Sequence, residues 1–188
     1  VIIATDVGFT TAVIAAADIV AARGFATGGY TPVGNVYAAP EPLGRASIRY
    51  FALAVGDDNP LWTDRSFARD HGYDDVIAPP TLIAETNQYM PGPRDGDGFM
   101  GHSWHIAVPD TRLVRGGNAY EFHRPAGPDT VVTATWRIAG MTERRTSAGL
   151  AMLVVTSEAA YTDQHGALLM TNTETLVFTE LPPVGGAS

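Results

Sequence analysis

The chain changes its hydrophobic period part-way along. In the first half apolar positions fall at helical intervals: behind Ser47, a good N-cap, Ile48, Phe51, Ala52 and Val55 make one stripe, and Gly56 stands where a left-handed C-terminal residue belongs. The spacing predicts a buried amphipathic helix there. A second, short helix is predicted over Asp64 to Arg69, capped by Asp64 and stopped by Gly72. A third runs from Pro79-Pro80-Thr81 to about Met90, with proline where a first-turn N–H would be orphaned in any case. Past the glycine-rich loop from Pro91 to Gly101 the period becomes two. Val132, Ala134, Trp136 and Ile138 alternate with Val131, Thr133, Thr135 and Arg137, the pattern of a strand with one buried face. Leu150 to Tyr161 reads as a second long strand, Asp163-Gln164-His165-Gly166 as a tight turn, and Ala167 to Thr179 as its antiparallel return. Ala119 to Arg124 reads as a shorter strand ahead of them.

A helix followed by several antiparallel strands predicts an α+β domain whose sheet wraps a central helix. Such a sheet is closed on one face only and needs a partner to hide its edges, so oligomerisation is expected from the architecture. Ahead of it, Thr11 to Arg23 reads as an alanine-rich helix, broken by Gly24, Gly28, Gly29, Pro32 and Gly34. Residues 1–35 are therefore assigned to an N-terminal extension that packs on the domain or a partner, 36–181 to the domain and 182–188 to a loose tail.

A chain of 188 residues, 45% apolar, can bury one core and is short for two domains. Its net charge of −8 leaves no basic field for a nucleic-acid backbone. All 12 basic residues are arginine, so lysine Schiff-base chemistry is excluded, and the absence of cysteine excludes disulfides, thiolate catalysis and Cys-ligated metal. The longest uncharged run near the start, Val7 to Ala17, has 11 residues, against roughly 20 for a membrane span. No basic patch precedes it, which argues against a secretory signal and for a cytoplasmic location.

Three segments carry a resemblance. Arg49-Tyr50-Phe51 through Val55-Gly56-Asp57-Asp58-Asn59-Pro60-Leu61 is the first, and Gly72-Tyr73 with Ile77-Ala78-Pro79-Pro80-Thr81 the second. Gly116-Gly117-Asn118-Ala119-Tyr120-Glu121-Phe122-His123-Arg124-Pro125 is the third. Together they resemble the N-terminal dehydratase domain of the MaoC-like hydratases, over roughly residues 36–180. The resemblance implies a hot dog fold, a double hot dog assembly and substrates held as coenzyme A or acyl-carrier-protein thioesters, with no further cofactor. The family chemistry is reversible addition of water to a trans-2-enoyl thioester. A carboxylate and an imidazole share the proton traffic, and hydrogen-bond donors stabilise the developing enolate oxygen.

This chain departs from that pattern twice. Active members read Gly-Asp-x-Asn-Pro-x-His; here Gly56, Asp57, Asn59 and Pro60 are kept, and Trp62 stands at the histidine position. An indole N–H donates only, so it cannot act as the base. At the start of the third helix, where active members resemble Ala-His-Gly, this chain has Ala78-Pro79-Pro80, and a proline at the glycine position has no N–H to polarise a carbonyl. Asp57 remains as the acid/base candidate. Asn59, Trp62, Thr81, Arg115, His123 and Arg124 are the candidates for binding substrate, the two arginines because they bracket the third segment and suit a phosphate. Arg112, Arg144 and Arg145 are further available cations, whereas His71 and His165 read as structural. His102 and His105 flank Ser103-Trp104 without a carboxylate motif, and no metal is expected.

The reading favoured from the sequence is the non-catalytic, substrate-binding half of a heteromeric enoyl-thioester hydratase or 3-hydroxyacyl-thioester dehydratase, with a MaoC-like partner supplying the intact Asp and His. Two others stay open. One is an autonomous homodimeric dehydratase of altered chemistry using Asp57 with His123 or His105, in a polyketide-like pathway. The other is an acyl-thioester-binding module without a reaction.

Overall fold

A computed structural model describes residues 3–5, 8–10, 35–86, 104, 106 and 108–182. The helix expected over Thr11 to Arg23, the loop from Pro91 to Gly101, His102, His105 and most of the tail lie outside the described residues. β1 (Ile3–Thr5) and β2 (Gly8–Thr10) pair as a small antiparallel hairpin. The main sheet has five antiparallel strands: β3 (Asn35–Ala38), β4 (Thr111–Phe122), β5 (Thr133–Arg145), β6 (Ala151–Thr162) and β7 (Leu168–Glu180), in the spatial order β3-β5-β6-β7-β4. Between β3 and β4 come the helices α1 (Arg45–Val55), α2 (Arg65–Asp70) and α3 (Leu82–Thr86), with a 3-10 turn at Pro60–Trp62.

One face of the sheet is buried because alternate residues on three strands are apolar. Ala134 and Trp136 of β5, Leu153, Val155, Ala159 and Tyr161 of β6, and Met170, Leu176 and Phe178 of β7 all join a single core cluster. Ile48 and Ala52 of α1 and Leu82 and Ile83 of α3 complete it. Each large side chain so buried contributes about 1.5–3 kcal/mol of transfer free energy. The predicted alternation at Val132, Ala134 and Trp136 holds, with Thr135 and Arg137 outward. Among the described residues no helix is long and apolar enough to cross a membrane.

Local expectations shift where tertiary contacts intervene. Ser47 lies inside α1, which begins at Arg45 behind Gly44, with no side-chain cap. Hydrogen bonds from Leu43 N to Thr130 O and from Gly44 N to Pro128 O anchor this entry to the loop before β5, and Gly44 takes φ 72°. Val55 shares the helical stripe yet is exposed, at the last position of α1 before left-handed Gly56. α2 starts as expected, with Asp64 Oδ1 accepting from Ser66 N at 2.8 Å and Phe67 N at 3.0 Å. The strand expected over Ala119 to Arg124 begins well before that, at Thr111, and ends at Phe122.

Arg45 forks onto Asp75, donating from Nε to Oδ1 at 3.1 Å and from its second arm to Oδ2, and Arg65 Nε lies 3.4 Å from the same oxygen. The pair of arginines thus ties the starts of α1 and α2 to one carboxylate. The Arg45 hydrogen bond holds the Asp75 pKa down at about 2. A carboxylate whose folded pKa lies below the unfolded value of about 3.9 contributes stability above that value and loses it as pH falls through the folded one. Asp75→Asn is therefore expected to flatten the stability profile between about pH 4 and pH 2, as read by thermal melts across that window. Equal slopes for the two proteins would refute it.

Candidate functional site

The turn after α1 is built from its own side chains. Gly56 takes the left-handed conformation and its N–H reaches back to the carbonyls of Ala52 and Leu53. Asp57 Oδ1 then accepts from Asn59 N at 3.1 Å, and Asn59 Oδ1 accepts from Leu61 N at 3.0 Å, opening the 3-10 turn at Pro60. Two successive Asx turns of this kind fix the backbone without help from distant residues. Their product is the inward swing of Trp62, which is 7% exposed and belongs to the core. Its Nε1 is buried without an acceptor among the described residues.

Trp62 forms part of the wall of a cavity of about 320 Å³. Ile77, Pro80 and Ile83 continue that wall, and the segment from Phe122 to Ala126 faces them. A backbone hydrogen bond from Ala78 N to Ala126 O at 2.7 Å joins the two sides, and one from Ile77 N to Leu61 O at 3.1 Å holds the first wall together. His123 N and Arg124 N both donate to Leu169 O, at 2.9 and 3.2 Å, so the start of β7 positions them. The lining is mainly apolar, with the exposed His123 and Arg124 supplying its imidazole and its cation.

Of the residues expected from the sequence, the fold brings Trp62, His123 and Arg124 together at this cavity, with Pro80 beside them. Asp57 is exposed, engaged in its own turn and outside the lining. Asn59 shapes that turn, and Thr81 is exposed at the entry to α3, accepting from Ala84 N at 3.1 Å through its carbonyl. Arg115 is engaged elsewhere, because its guanidinium donates to Glu174 Oε1 at 2.7 Å, across β4 and β7, and covers a carboxylate that is 4% exposed. Tyr73, Ile77 and Phe122 also line the cavity, although their residue types alone do not mark them as ligand contacts. Their signal in the sequence is their place within the resembling segments.

Arg144 and Arg145 border a second cavity, about 390 Å³, at the far end of β5 with Glu143 and Ala151. Burial pushes the Glu143 carboxyl above its ordinary pKa. Arg145 there donates to Gly149 O at 2.8 Å and so braces the β5–β6 turn.

Comparison with known proteins agrees with this architecture. The family model for the FAS1-like dehydratase domain region matches residues 33–172. A UPF0336 protein of Thermobifida fusca is 36% identical over 132 residues, covering 69% of this chain and 81% of the relative. Among solved structures, the HadBC (3R-hydroxyacyl-ACP dehydratase) complex of Mycobacterium tuberculosis has 27% identity and a TM-score of 0.55, over 77% of this chain and 95% of that one. A MaoC-like dehydratase from Rhodospirillum rubrum, at 17% identity, shares the fold with a TM-score of 0.56, over 80% of this chain and 94% of its own.

Proposed function

Since this chain belongs to the FAS1-like dehydratase-region family and has the MaoC-like hot dog fold, we propose that it is the substrate-holding half of a heteromeric enoyl-thioester hydratase or dehydratase. One observation carries the reading: the position that resembles the family's histidine is an indole packed into the cavity wall, while Asp57 is spent on its own turn outside that cavity. Hydration needs a group that both takes and gives a proton at neutral pH. Trp62 cannot, and Pro80 has no N–H to polarise a thioester carbonyl. A MaoC-like partner with an intact Asp and His then supplies the reaction, and this chain supplies an apolar space for the acyl tail. Arg124 at that space suits a phosphate of coenzyme A or of a carrier's phosphopantetheine. The HadBC structure, a complex of this fold class, supports a heteromeric assembly.

The test is activity with and without a partner. The purified chain alone is expected to leave enoyl-CoA and enoyl-carrier substrates at the uncatalysed rate, and co-expression with a MaoC-like chain to yield a stable, active complex. Turnover by the lone chain that Asp57→Asn abolishes would overturn the proposal. Within the active complex, Ile77→Trp narrows the cavity and is expected to raise KM for long acyl chains by roughly tenfold or more while leaving short ones unchanged. Equal effects on both lengths would remove the acyl tail from this space.

The autonomous reading pairs Asp57 with His123 or His105; His123 lines the cavity and Asp57 does not, while His105 lies outside the described residues.

A further inference from the structure

We infer that the cavity walled by Trp62 selects acyl chains that carry a neutral oxygen, a keto or hydroxyl group, part-way along the tail, with the indole N–H as the donor that reads it. The inference rests on the thioester reading above and adds the class of acyl chain. Trp62 is 7% exposed and lines the cavity, and its Nε1 is buried with no acceptor among the described residues. An indole N–H can only donate, so nothing but an acceptor satisfies it. Because that donor has already lost its water, a ring without one, such as phenylalanine, would be the better filler for a purely structural wall. The two Asx turns from Asp57 to Leu61 set the backbone that carries the indole, which makes the orphaned donor a built feature of the turn.

The other polar groups of the lining point the same way. Tyr73, half-buried, and His123, exposed, both line the cavity, and among the described residues neither the hydroxyl nor the imidazole has a hydrogen-bond partner. A tail of methylenes alone would displace water from them and return nothing. A polar group stripped and left unpaired forfeits more than one buried methylene gives back. An oxygen on the tail reverses that balance at Trp62, where a hydrogen bond forms without removing any water from the donor.

The oxygen has to be neutral. A carboxylate among Ile77, Pro80 and Ile83 would lose hydration that a single N–H cannot replace. Charge belongs instead with Arg124, the exposed cation of the lining. Keto and hydroxyl groups share the lone pairs that an indole N–H needs, so both satisfy the same site.

The test holds the thioester constant and varies only the tail. Calorimetric titration of the purified chain, or of its complex with a MaoC-like partner, compares a saturated fatty-acyl-CoA with a matched series in which one keto oxygen is stepped along the chain. At one position of the oxygen the keto compound is expected to bind about tenfold more tightly than the plain one, the worth of one buried hydrogen bond. Trp62→Phe keeps a ring in the wall, removes the donor and is expected to bring that ratio close to one. A series in which no keto position binds more tightly than the plain chain overturns the inference, whether or not the variant folds, and leaves the thioester reading standing. A preference that survives Trp62→Phe overturns it too. Were the indole to serve the thioester's own carbonyl, the substitution would weaken both tails alike and leave their ratio unchanged, which counts against it in the same way. Binding of neither compound, by the chain or by the complex, would remove the thioester reading and this inference together.

Discussion

Truncating Trp136 to alanine is expected to lower the unfolding free energy by about 3–5 kcal/mol, the largest single loss in the domain. The indole is 3% exposed, lies on the sheet's buried face one strand in from the β3 edge and meets Tyr161 edge-to-face at 6.5 Å between centroids. Its strand is held on both sides, by β3 and by β6, so the backbone is poorly placed to collapse into the space left behind. Loss of transfer energy, a residual cavity and a lost aromatic pair then act together. Urea unfolding of Trp136→Ala beside Thr135→Ala measures this. Thr135 points away from the core on the same strand, and its truncation should stay within about 0.5 kcal/mol. A Trp136 loss below about 1 kcal/mol would mean that this layer is not the core.

Arg115→Ala should cost more than Glu174→Gln, although the arginine is the exposed partner. Glu174 lies among core residues at 4% exposure, receives Arg115 at 2.7 Å and has Ser157 Oγ at 3.4 Å from its other oxygen. Removing the arginine strands a buried carboxylate, whereas removing the carboxylate frees an arginine that is already 59% exposed in its side chain. The expected loss for Arg115→Ala is about 1–3 kcal/mol, below the figure for a fully buried pair because water reaches the guanidinium. Glu174→Gln keeps an acceptor for that arginine and should cost less. Chemical denaturation of the two variants decides the order, and a larger loss for Glu174→Gln would refute it.

Local rules were legible where local physics is sufficient. Asp64 caps α2 and Asp163 closes the turn between β6 and β7, accepting from His165 N and Ala167 N at 2.8 Å each. Those backbone hydrogen bonds, Ala167 first, hold the Asp163 pKa below the ordinary carboxylate value. β4 was only partly legible. Its residues are almost all exposed, so no alternation marks them, and Gly116-Gly117 in its centre reads as a break. Close backbone approach explains the first of those glycines, since a Cβ there would meet Thr175 Cγ2 at 3.1 Å. β3 carries no strand signal for another reason: the five residues between Gly34 and Pro40, four of them in the strand, hold too little periodicity to declare one.

The α+β class, the inward row of β5, the strands β6 and β7, the helix stop at Gly56 and the indole at the histidine position can all be read from the residues alone, because periodicity, caps and side-chain chemistry are properties of neighbouring residues. Long-range folding is what gathers Trp62, Pro80, His123 and Arg124 at one cavity and turns Arg115 to Glu174 instead. Those groupings join residues far apart along the chain, Arg115 and Glu174 by 59 positions. Strand order and register place them, and no local pattern encodes which strand will lie beside which.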